Sequence, residues 1–121
     1  MEKYQSEYSD FLDTYKKGAT GGEDVGAFIA TMAQYFMEAN MKYGTSLIAY
    51  NVVAREIEES VDDNTGKAIS SSKAKVISVA TDQSSALITA KTHLENIEQM
   101  INSLKSLQRG ILNEYSHASQ I

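Results

Sequence analysis

The sequence contains no cysteine, no proline and no tryptophan. Without cysteine there is no disulfide frame, no thiol nucleophile and no thiolate metal site. The missing proline matters over 121 residues, because an interior proline removes a helical hydrogen bond and clashes with the preceding turn. A chain free of it is suited to long helices. No apolar run reaches the roughly 18 residues that a membrane-crossing helix needs. The first residues, Met1-Glu2-Lys3-Tyr4-Gln5, lack the basic start and apolar middle of a secretory leader. A cytoplasmic location with no membrane attachment is therefore expected. Cationic residues are also scarce, with 11 Lys and Arg against 16 Asp and Glu and a net charge of −5. Residues 1–60 carry that excess, with five basic and ten acidic residues, whereas 61–121 hold six of each. Duplex nucleic acid, which selects a basic footprint, is a poor match. A protein partner fits the charge better.

What is present is helical periodicity. With 42% hydrophobic and 22% charged residues, the composition is that of one globular domain over residues 1–121. Ala80, Gln83, Leu87, Ala90, Leu94, Ile97, Ile101, Leu104, Gln108, Ile111 and Tyr115 recur at alternating spacings of three and four, the seam of an amphipathic helix over about 70–117. Val25, Ile29, Met32, Phe36, Ala39, Tyr43, Ser46, Tyr50, Val53 and Ile57 form a second such ladder, predicting a helix over about 21–61. A stripe of Phe28, Tyr35, Leu47, Ala54 and Val61 beside it implies more than one neighbour. Between the ladders, Asp62-Asp63-Asn64-Thr65-Gly66-Lys67 reads as a turn, and Ser70 or Ser71 as the next cap. Two long helices joined by a short turn predict an antiparallel hairpin, with position i facing about position 131 − i. At about 1.5 Å per residue each arm is roughly 60 Å long.

Residues 3–17 form a short amphipathic helix with Tyr4, Tyr8, Phe11 and Tyr15 on one face. Gly18-Ala19-Thr20-Gly21-Gly22 follows as a linker. It lacks the phosphate-loop pattern and any preceding strand; Thr20 and Glu23 instead suit a capping box. The fold class expected is all-α: a docking helix at 3–17, a linker at 18–22 and a hairpin over 23–117. Two long arms and one short helix enclose little core. An oligomeric helical bundle, in the simplest case four helices from two copies, is expected. Its interface is assigned to Tyr4, Tyr8, Phe11 and Tyr15 together with Ile97, Ile101 and Leu104. Tyrosine-rich faces are common interface anchors, so loss of residues 1–19 is expected to weaken assembly. The competing role for this face is to complete the core of its own hairpin.

Few residues carry chemistry. Neither histidine has a serine and aspartate arrangement for nucleophilic catalysis. Glu114-x-x-His117 is half of the paired motif of di-iron bundles; a second copy could supply the other half, but the inner seams hold no Glu. Asp62-x-Asn64-x-Gly66 departs from a calcium loop in its glycine position and in lacking the closing Glu. No metal and no cofactor are expected. Glu56, Glu59, Asp62 and Asp63 end one arm and Lys73 and Lys75 begin the next, the wrong signs for both helix dipoles. Pairing of Glu56 or Glu59 with Lys73 or Lys75 would offset this; a partner-binding tip is the other reading. Tyr43, Ser46, Tyr50 and Ser84 could line a pocket between subunits.

Small paired-helix secretion substrates resemble this chain in length, but their Trp-x-Gly turn is absent. Secretion-needle subunits share the hairpin without matching its turn. In general character the chain resembles small helical proteins of phage and other mobile genomes, with no motif in common. The expectation is a non-enzymatic, homo-oligomeric helical protein that binds another macromolecule, as an adaptor, inhibitor or accessory protein. The alternatives are a helical oligomer that binds a small molecule or nucleotide between subunits, and a structural assembly subunit.

Overall fold

The computed structural model describes residues 1–18 and 20–119, the side chains of 115–119 excepted. Four helices follow in order: α1 (Lys3–Lys16), α2 (Gly22–Glu58), α3 (Ser71–Val79) and α4 (Asp82–Ser119). Among the described residues there is no strand, only one antiparallel bridge between Val61 and Ala68. The all-α class and the long hairpin pair α2 and α4 agree with the periodicity. Contacts divide the chain into two compact units, Met1–Glu38 with Glu95–Ile121, and Ala39–Leu94.

In the first unit the seams meet as the ladders require. Val25 and Met32 of α2 and Ile97 and Leu104 of α4 are at most 2% exposed. Small residues let the helices approach. A Cβ on Gly22 would lie 3.6 Å from Ile111, and one on Gly26 would come within 3.0 Å of Gln108 Nε2. That amide donates to the Gly22 carbonyl oxygen at 3.3 Å, so the polar seam residue Gln108 is satisfied on the facing helix. The cap of α2 falls one residue later than the expected Thr20–Glu23 box: the Gly21 N–H donates to Asp24 Oδ2 at 3.0 Å. Helix α1 is held at its start by Glu2, whose N–H donates to Gln5 Oε1 at 2.9 Å.

The second unit is built differently. Its buried residues are Ala39, Ala74, Ser78 and Ser84, all small. The turn after α2 is a miniature β-ribbon. Ile69 N–H donates to the Ser60 carbonyl at 3.1 Å, Asp62 N–H to Lys67 and Gly66 N–H to Asp62, both at 2.7 Å. Two residues, Gly66 and Lys67, thus oppose Asp62, and Gly66 has φ +68°. This is a glycine bulge, which turns a ribbon where other side chains would be strained. Ser70 then caps α3, accepting from the Lys73 N–H at 3.2 Å.

The predicted continuous helix over 70–117 is corrected: α3 ends at Val79 and α4 begins at Asp82. The Thr81 hydroxyl donates to the Ser78 carbonyl at 2.7 Å and accepts from the Ser84 N–H at 3.1 Å. It both closes one helix and opens the next. The apolar ladder crosses this point without a gap because spacing reports which side chains face inward, whereas a hydroxyl can replace a backbone bond without disturbing it.

Candidate interaction surface

The aromatic face of α1 lies on the α2 of its own chain. Tyr4 is buried with its ring centroid 6.3 Å from that of Tyr35, and Phe11 stacks on Phe28 at 4.4 Å and 6°. Tyr8 and Tyr15 are half-buried. The Tyr35 hydroxyl donates to the Glu7 carboxylate, which raises the phenol pKa above its usual 10.0; desolvation and the charges of Glu7 and Glu38 add to the effect. The residues assigned from sequence to contacts between copies therefore make contacts within the chain: Tyr4, Phe11, Ile97 and Leu104 are used in the first unit. A third helix laid over Phe28 and Tyr35 supplies the cover that two arms alone lacked. Ile101 remains half-buried and lines a cavity of about 330 Å³ with Ile29, Ala33, Phe36 and the polar Glu98, Asn102 and Lys105.

At the tip, Lys73 Nζ donates to Asp62 Oδ1 at 2.8 Å, and the Asn64 N–H reaches the same oxygen at 2.9 Å. These two bonds hold the Asp62 carboxyl below its ordinary 3.8, Lys73 first and Asn64 second. Lys73 thus pairs with Asp62 and not with Glu56 or Glu59; those two, Asp63 and Lys75 are exposed. The ribbon brings Asp62 back over the start of α3, a geometry that helix-to-helix pairing omits. The Asp62-x-Asn64-x-Gly66 spacing is explained as an Asx turn running into the bulge.

Tyr43, Ser46 and Tyr50 are half-buried and Ser84 is buried. They belong to the second unit, and the Ser84 N–H is part of the Thr81 cap. Glu114 is exposed, and the His117 side chain lies outside the described residues. Among the described residues no three His, Asp or Glu gather as metal ligands.

What sequence reading missed is the outward face of the second unit. Met41 is 73% exposed and Ile48 67%, and Val52 lies with them on α2; Val76 and Val79 on α3 and Ile88 on α4 are likewise more than half exposed. A unit whose fully buried residues are only Ala and Ser half-buries its ladder residues from Tyr43 to Ile57 and from Gln83 to Leu94, and leaves these others in water. Single exposed apolar residues are ordinary, but a row of them along one helix face, as Met41, Ile48 and Val52 form on α2, marks an interaction surface. The α2 members recur at spacings of seven and four, a signal readable once both inner stripes are set aside.

Compared with protein-family models, curated proteins and solved structures, the chain matches none.

Proposed function

We propose that this protein is a non-enzymatic, self-associating helical interaction protein that acts by binding another macromolecule. One observation carries the reading: in the second unit the fully buried positions are small, while Met41, Ile48, Val52, Val76, Val79 and Ile88 are each more than half exposed. Leaving such side chains in water forfeits about 1.5–3 kcal/mol each relative to burial, and association recovers it. The acidic first half suits a partner other than nucleic acid. No helix of the described residues is long and apolar enough to cross a membrane, which supports a protein surface as the counterpart.

Sedimentation equilibrium and native mass spectrometry of the purified chain test this. The expected result is a defined oligomer at micromolar concentration, with or without a co-purifying macromolecule. A stable monomer with nothing bound overturns the proposal.

A further inference from the structure

Helix α2 carries a third apolar seam besides its two inner stripes. Met37, Met41, Ile48 and Val52 are all more than half exposed. At about 100° per residue they fall, together with Gly44, within an arc of roughly 80°. Gly44 sits midway along this face, at one edge of its arc. Its backbone does not require glycine, since only Gly18 and Gly66 among the described residues have positive φ. Packing within the chain does not require it either, because a Cβ there meets nothing within 4 Å. A mid-helix glycine is unfavourable relative to alanine, so its absent side chain points to a close neighbour outside the chain. Thr45 beside it has its hydroxyl bonded to the Met41 carbonyl at 3.1 Å, which leaves no unmet polar demand at the centre.

We infer that this seam pairs with the same seam of a second copy, antiparallel, about a two-fold axis between Gly44 and Thr45. The inference rests on the self-associating reading above and says where and how the copies meet. The spacing is self-complementary about that point: Met37 falls opposite the partner copy's position 52 and Met41 opposite its position 48. Every large apolar side chain of the seam then meets another, as an isologous contact demands. Gly44 falls beside the crossing point, opposite the partner copy's position 45, and its missing side chain lets the backbones approach. Charge decides the direction. A parallel pair would set Arg55 against Arg55 and bring the acidic ends of α2, with Glu56, Glu58 and Glu59, together. Antiparallel pairing places Arg55 against Gln34, and the acidic end against Ala30 and Ala33. Like-charge juxtaposition is costly at an interface.

The chain has no cysteine of its own, so single cysteines report the register. With a short bis-maleimide, Thr45→Cys is expected to cross-link to itself. Val52→Cys alone is expected to stay uncoupled, because its two copies lie 15 residues, about 22 Å, apart along the pair. A mixture of Met37→Cys and Val52→Cys is expected to give the mixed dimer. Ile48→Glu, at an exposed position, is expected to weaken association at least tenfold with helicity unchanged by circular dichroism. Self-coupling of Val52→Cys overturns the antiparallel register. An oligomeric wild type whose Thr45→Cys variant does not couple overturns this seam and leaves self-association standing. A monomeric wild type overturns both.

Discussion

Asp62 does three jobs in six residues. Its carboxylate receives Lys73 and the Asn64 N–H, its carbonyl receives Thr65 and Gly66, and its own N–H donates to Lys67. The carboxylate bonds favour the ionised form, which is why the pKa is lowered. The sign follows: this contribution is present above the ordinary value of 3.8 and is lost as pH falls through the depressed folded-state value. Thermal unfolding followed from pH 6 down to pH 3 should show a falling Tm in the wild type, and a shallower fall in Asp62→Asn. Equal slopes in the two proteins would remove Asp62 from the acid response. Tyr35 has the opposite dependence. Its raised pKa favours the neutral phenol, so its contribution holds below pH 10.0 and fades at higher pH.

Helix α1 is the element whose role changes most between sequence and structure. Fourteen residues make a marginal helix alone, so α1 depends on the surface it covers. That surface is Tyr35 and Phe28 of the same chain, about 100° or more around α2 from Met37, Met41, Ile48 and Val52. Tyr4→Ala should cost about 3 kcal/mol, the low end for truncating a buried aromatic, measured by urea unfolding. Removing residues 1–17 should lower Tm and leave sedimentation unchanged. Loss of the oligomer on that deletion would return α1 to the interface. The break between α3 and α4 belongs to this scale too: Thr81 supplies a cap where the ladder alone predicts continuity.

Across the whole molecule the cores of the two units are made of different material. Met32, Ile97 and Leu104 are large and buried in the first, while Ala39, Ala74, Ser78 and Ser84 are the buried residues of the second. Leu104→Ala should destabilise by about 2–5 kcal/mol, since it leaves a cavity. Val76→Ala, at a 71% exposed site on α3, should change stability by no more than about 0.5 kcal/mol. Chemical denaturation of both variants checks the contrast. A loss at position 76 as large as at 104 would mean that α3 is covered by something in solution.

The sequence by itself determined the class of the fold and the inward faces. Three- and four-residue spacing is a local property of a helix, and each ladder position from Val25 to Ile57 and from Gln83 to Ile111 is buried or half-buried. The Ser70 cap and the seam position of Gln108 were legible for the same reason, because each depends on neighbours a few residues away or on helical phase. The tertiary structure alone decided which surface receives α1, which acid receives Lys73, and which apolar residues remain outside. Those choices are made between segments far apart in the chain: α1 competes for own-chain and foreign surfaces of equal hydrophobicity, and burial has no direction. The Met41, Ile48 and Val52 face shows the limit most plainly. Spacing can reveal that a helix has three apolar stripes, but only packing reveals which two are covered.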